Sequence, residues 1–244
     1  MTLRDARRAA SRLAALLLFL VAAPAFAEPF ADTMAQRLLA CTGCHGPEGR
    51  AAADGYYPRI AGKPAGYLFN QLLNFRDGRR AYALMTNLLA PLDDAYLREI
   101  AAHFAGLDLP YPPPAPPALS PADLAAAARL VAEGDPARNL PACSACHGKE
   151  MTGTAPFVPG LVGLPRDYLN AQLGAWRNGK RVAQEPDCMA AIAGKVAPEE
   201  IGRISAWLAG QPVPAGAKPA SGFATPMPMA CGGVPATSAA GTPR

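Results

Sequence analysis

Cys41-Thr42-Gly43-Cys44-His45 and Cys143-Ser144-Ala145-Cys146-His147 are the two stretches on which the reading of this chain turns. A Cys-x-x-Cys pair followed at once by His is the pattern that fixes a c-type haem. Two thioether bonds hold the porphyrin edge and the histidine reaches the iron as proximal ligand. Zinc sites also use paired cysteines, but they give no reason for a histidine directly after each second cysteine. A thioredoxin-like redox pair belongs beside a strand and helix of an α/β unit, and no strand pattern surrounds either motif. The two motifs therefore predict two covalently attached haem c groups, bound through Cys41, Cys44, Cys143 and Cys146, with His45 and His147 on the irons.

The similarity of the two stretches continues beyond them. Pro58, Ile60, Gly62, Pro64, Tyr67, Leu68, Gln71 and Leu72 recur at the same spacing as Pro159, Leu161, Gly163, Pro165, Tyr168, Leu169, Gln172 and Leu173. Phe75-Arg76, Gly78 and Arg80 recur as Trp176-Arg177, Gly179 and Arg181. The chain reads as a duplicated domain. Between the copies, Leu109-Pro110-Tyr111-Pro112-Pro113-Pro114-Ala115-Pro116-Pro117 forbids a continuous helix and favours an extended, semi-rigid connection. The predicted organisation is an N-terminal domain over 28–109, a linker over 110–120, a C-terminal domain over 121–212 and an Ala/Pro-rich tail over 213–244. Each copy is small for a self-sufficient core, and a porphyrin supplies the missing apolar body.

Periodicity is helical over 32–44, 65–76 and 93–106, and again over 121–133, 166–177 and 198–209. Strand-like alternation is hard to find, so the predicted fold class is all-α, with two tandem domains each wrapped around one haem. Asp93, Asp94, Glu199 and Glu200 stand near helix starts, where the helix dipole favours negative charge, although ordinary solvated charge explains them equally well.

A six-coordinate electron-transfer haem needs a second axial donor, and methionine is the usual partner of histidine. Met85 and Met189 follow their histidines at nearly equal distance, each in a poorly helical stretch between the same two predicted helices. An isolated methionine is more often a core gap-filler, but equivalent placement in both copies points to ligation. Met34 precedes its motif, Met151 follows His147 too closely, and Met227 and Met229 lie in the tail. His103 occupies a position filled by Trp207 in the other copy, which suits packing better than ligation. Arg76, Arg79, Arg80, Arg177, Lys180 and Arg181 follow the middle helix of each copy and could meet haem propionates, present a docking surface or simply be solvated. Tyr67 and Tyr168 could bond a propionate or only pack.

The start of the chain carries Arg4, Arg7, Arg8 and Arg12, an apolar run and then Ala25-Phe26-Ala27, which reads as a secretory signal over 1–27 cut after Ala27. Haem c is attached outside the cytoplasm, so both features predict a periplasmic protein, soluble or peripherally attached to a membrane. Loss of residues 1–27 removes four arginines and Asp5, lowering the formal charge of +4 to +1. No basic block or basic amphipathic helix remains to suggest a nucleic-acid partner. Cys188 and Cys231 are left after the haem cysteines are assigned. In an exported protein they suggest a disulfide, with two unpaired thiols as the alternative. The remainder of the tail reads as poorly ordered by composition.

Over about residues 30–212 the sequence resembles the cytochrome c4 family of di-haem cytochromes c, through both attachment motifs, Met85 and Met189, and the repeated Pro-x-Ile/Leu-x-Gly-x-Pro and Tyr-Leu-x-x-Gln-Leu segments. That resemblance implies two class I cytochrome c domains packed face to face with propionate edges close. It also implies one-electron shuttling from a quinol-oxidising complex to a terminal oxidase. The Cys188/Cys231 pair and the long tail depart from the pattern and leave the partner open. The same architecture suits the electron-accepting subunit of a dehydrogenase, such as one oxidising sulfur compounds or alcohols. A di-haem peroxidase would need one open iron, and a methionine in both copies argues against that.

Overall fold

The computed structural model describes residues 32–52, 55–114 and 116–239, and the predicted signal over 1–27 lies outside them. In the first half, helices α1 (Leu39–His45), α2 (Ala65–Arg76), α3 (Ala83–Leu89) and α4 (Asp94–Gly106) follow one another, with α2 packed on both α3 and α4. The second half begins with α5 (Pro121–Glu133) and α6 (Ser144–His147). After a two-residue hairpin, β1 (Gly153–Thr154) with β2 (Val158–Pro159), come α7 (Arg166–Arg177), α8 (Cys188–Lys195) and α9 (Pro198–Ala209). Here α7 packs on α8 and α9, and α9 also packs on α5.

Local chemistry sets these boundaries. Asp93 caps α4 by accepting from Tyr96 N at 2.8 Å, and Leu97, Ile100, Ala101 and Phe104 put one buried stripe on its inner face. Ser120 caps α5 through Asp123 N, and Pro121 occupies the first turn, where its missing N–H costs nothing. Glu200 returns its carboxylate to Ala197 N at 2.8 Å at the start of α9. Equivalent arginines close equivalent loops: Arg76 Nη1 donates to Leu92 O at 3.0 Å and Arg177 Nη1 donates to Val196 O at 2.6 Å. Arg76 also pairs with Asp94 at 2.8 Å, so the role of these two residues is to hold the loop ahead of the last helix.

Two expectations need correction, and the all-α fold class stands. The helix predicted over 32–44 is interrupted at Leu38, buried to 1% exposure, and splits into a four-residue helix at Met34–Arg37 and α1. Strand pairing exists at β1 and β2, too short to leave an alternating pattern in the sequence. The tail, expected to be poorly ordered, is packed as far as it is described. Ala155 N donates to Ala220 O at 2.7 Å, Ala220 N donates to Gly153 O at 2.9 Å, and Phe223 and Val234 are buried against Val158. Its few large side chains fall where they can be buried, which composition conceals. A last short helix, α10 (Ala236–Ala239), ends the described chain.

The halves join through an antiparallel bridge at Arg80 and Arg181, with Ala81 N donating to Lys180 O at 3.1 Å and Val182 N to Arg79 O at 2.8 Å. The proline-rich connector runs without helix and is held at its start by residues of both halves. Arg59, buried, donates to Leu109 O and Pro110 O and stacks over the Tyr111 ring at 3.8 Å. Tyr111 in turn fills the space where a Cβ at Gly163 would stand. Among the described residues no helix is long and apolar enough to cross a membrane.

Candidate haem sites

Helical geometry places Cys41, Cys44 and His45 side by side on α1, three and four residues apart, and Cys143, Cys146 and His147 likewise around α6. A glycine at positive φ follows each histidine, Gly46 at 76° and Gly148 at 81°. A Cβ at Gly46 would collide with the Ala51 carbonyl, so only glycine lets the chain turn back there.

Each histidine is aimed by a proline carbonyl. His45 Nδ1 lies 2.8 Å from Pro58 O, and His147 Nδ1 lies 2.7 Å from Pro159 O. A carbonyl can only accept, so Nδ1 carries the hydrogen and Nε2 keeps a free lone pair, the tautomer an iron ligand requires. Burial pushes both imidazoles below their ordinary pKa, opposed by the proline bond, with Arg80 adding to the fall at His45 and Lys63 at His147. Burial also pushes Cys143 up to about 11 and raises Cys41 and Cys146. A redox-active dithiol needs a depressed thiol pKa, so these cysteines are not tuned for that chemistry.

Met85 and Met189 lie within α3 and α8, not in the non-helical stretches predicted for them. Helices this short leave little periodicity to read. Thr86 Oγ1 ties α3 to Phe75 O at 2.9 Å, and Asp187 caps α8 through Ala190 N at 3.0 Å. Cys188, just before Met189, is bonded to Cys231 with Cα atoms 5.0 Å apart. Met151 is buried in the second core, Met227 packs with the tail, and His103 lies edge-on to Phe104.

Of the six cations at and after the ends of the middle helices, Arg80 and Arg181 are the two that meet across the halves. Arg79 is met by Asp77 at 2.9 Å, as Arg76 is by Asp94. Arg80 instead donates to Gln71 Oε1 at 3.2 Å, to Gln172 Oε1 at 2.6 Å and to Tyr168 Oη at 3.3 Å. Arg181 donates to Gln172 Oε1 at 2.7 Å and to Gln71 Oε1 at 2.8 Å, and it also bonds Tyr67. Each stacks on the matching aromatic of its own half, Arg80 over Phe75 and Arg181 over Trp176. Among the described residues neither reaches a carboxylate, and burial and then the facing Arg80 lower the Arg181 pKa. The Trp176 indole N–H is buried without a partner beside this pair.

Two guanidiniums without a carboxylate partner among the described residues, and the buried Trp176 N–H, suit an anionic acceptor, and two imidazole Nε2 lone pairs beside paired thiols suit iron-bearing porphyrins. The residues present fit two haem c groups. The sequence marked the repeated prolines, glutamines and arginines but not their pairing across the halves. Lys63, buried with Nζ 3.4 Å from Gly160 O and its pKa held down to about 8 by burial, was missed because Leu164 replaces it in the other half.

A duplicated all-α fold with two such attachment helices defines a di-haem c-type cytochrome, an electron carrier. The chain belongs to the cytochrome c4 family. It is 35% identical over 175 residues to a thiosulfate dehydrogenase electron acceptor of Thiomonas intermedia, covering 71% of this chain and 79% of the relative. It is 33% identical over 173 residues to a cytochrome c4 of Pseudomonas aeruginosa, covering 70% and 83%. The structure of reduced cytochrome c4 from Pseudomonas stutzeri matches with a TM-score of 0.62 at 28% identity, over 72% of this chain and 95% of that one. No family model matches the chain.

Proposed function

We propose that the chain is a periplasmic shuttle in which His45 with Met85, and His147 with Met189, are the axial ligands of two haems held by Cys41 and Cys44 and by Cys143 and Cys146. The observation that carries this is the repeated Nδ1-to-proline-carbonyl bond, which leaves Nε2 free in both halves. The haems supply the one-electron redox chemistry. The protein fixes the ligand tautomer, buries His147 and half-buries His45, and Arg80 and Arg181 would supply cations to haem propionates. With both sixth positions filled no iron is open to a small substrate, so the chain is a carrier and not an enzyme.

The domains of this reading are 28–109 and 121–212, joined by the linker 110–120, and export uses a signal cut after Ala27. The electron donor is an exported dehydrogenase, with oxidation of a sulfur compound favoured because a relative carries the name thiosulfate dehydrogenase electron acceptor. A quinol-oxidising complex is the second donor reading, and a terminal oxidase is the acceptor. The test is the optical spectrum of the purified protein, with haem stoichiometry, before and after carbon monoxide addition to the reduced form. Two haems per chain, a ferric thioether-to-iron charge-transfer band and no carbon monoxide response are expected. A prompt response at one haem would mean an open iron and overturn the reading.

A further inference from the structure

The two attachment motifs are built alike but covered unequally. Cys44 is exposed, and a Cβ at Gly43 would meet nothing within 4 Å. Cys146 is half-buried and His147 is 7% exposed. The segment after α9 accounts for the difference. Its main chain adds to β1 at Ala220, paired beside Thr154. Phe223, Met227, Cys231 and Val234 then form one cluster with Phe157, Val158 and Cys146. Three bonds hold its far end: the Cys188–Cys231 disulfide, Gly232 N to Pro186 O at 2.9 Å, and Asn70 Nδ2 to Gly233 O at 2.8 Å. Among the described residues the first half has no equivalent, because the chain beyond α4 runs straight into the connector.

We propose that residues 213–239 are a strap that closes the Cys146 edge of the second site, leaving the Cys44 edge of the first as the port where an external one-electron redox protein exchanges electrons. This rests on the reading of two haems attached at these motifs. Electron tunnelling falls off exponentially with edge-to-edge distance. A layer of side chains over the Cys146 edge therefore disfavours exchange there, while the open Cys44 edge admits close approach. Each exchange moves a single electron between the partner's centre and the first haem, the partner being oxidised as that haem is reduced, or the reverse. The strap is fastened beside Met189, so the bond that shields the second site also braces its proposed ligand helix.

The test uses full-length holoprotein, reduced and therefore diamagnetic, titrated with a soluble gadolinium chelate while the thioether-edge proton resonances of each haem are followed. Broadening confined to the haem attached at Cys44 is expected. A variant ending at residue 212 and carrying Cys188→Ser should broaden both. Should that truncation fold poorly, the full chain with Phe223→Ser and Val234→Ser keeps the disulfide while loosening the cover, and should also expose the second edge. Equal broadening at both edges in the unaltered protein overturns the strap, as does a second edge still protected once the strap is cut or loosened. A protein with fewer than two covalent haems overturns instead the reading on which the strap rests.

Discussion

Arg80 and Arg181 share two glutamines: each guanidinium donates to both Gln71 and Gln172, one from its own half and one from the other. Two like charges facing each other, without a carboxylate among the described residues, would be further stabilised by an anion such as a haem propionate. A nearby cation stabilises the reduced, less positive haem. Arg181→Leu should therefore lower a reduction potential by tens of millivolts, a tenfold change in equilibrium being about 59 mV for one electron. Arg181→Lys, which keeps the charge but loses the planar fork, should shift it less. Redox titration decides, and unchanged potentials in Arg181→Leu would place the pair away from both propionates.

Removing one proposed methionine ligand should open one iron and leave the other. Met85→Ala and Met189→Ala should each bind carbon monoxide at a single haem when reduced, and each should lose about half of the ferric charge-transfer band. A variant that stays six-coordinate with unchanged potential would transfer the ligand role to another side chain.

The bridge between Cys188 and Cys231 spans 43 residues. For a loop of that length the chain-entropy account gives about 4 kcal/mol. Paired Cys188→Ser and Cys231→Ser changes should lower stability by roughly 2–4 kcal/mol in denaturant unfolding. They should also abolish any effect of added reductant on the transition. A reductant effect that survives the double change would mean the bridge is not its target.

Arg138 meets Glu200 through two bonds, 2.8 and 3.0 Å long, and this pairing holds the Glu200 carboxyl below its ordinary 4.5. Because the folded value is the lower one, the unfolded chain binds more protons as pH falls. The contribution is therefore complete above the ordinary carboxylate range and is lost as pH drops through the lowered folded value. Glu200→Gln should cost under about 1 kcal/mol at neutral pH, as for other pairs open to solvent. The acid side of its stability curve should be flatter than in the unaltered protein. Melting temperature against pH is the check, and parallel acid limbs would assign the acid sensitivity to other groups.

The long helices were readable because each starts on or just after a proline, Pro64, Pro121, Pro165 or Pro198: the ranges 65–76, 121–133, 166–177 and 198–209 coincide with α2, α5, α7 and α9. The helices around Met85 and Met189 were hidden by their length, since neither completes enough turns to show a period. At the proposed sites, the order of cysteines and histidine carries the assignment because haem attachment would dictate it. The shared glutamines were not, since a repeat reveals that two halves match without revealing how they face. The tail was misread because Phe223 and Val234, eleven residues apart, make a core only with Val158 beneath them.

The fastening of the connector, by Arg59 to Leu109 and Pro110 on one side and by Tyr111 against Gly163 on the other, bears on kinetics. A tether of free prolines would let the halves wander, and exchange between the irons would then depend on how quickly they met. With the start of the connector clamped between the halves, two haems held in them would keep one separation. Internal electron exchange should follow a single exponential and stay indifferent to glycerol or sucrose in the buffer, leaving only encounter with outside partners to slow as the solvent thickens.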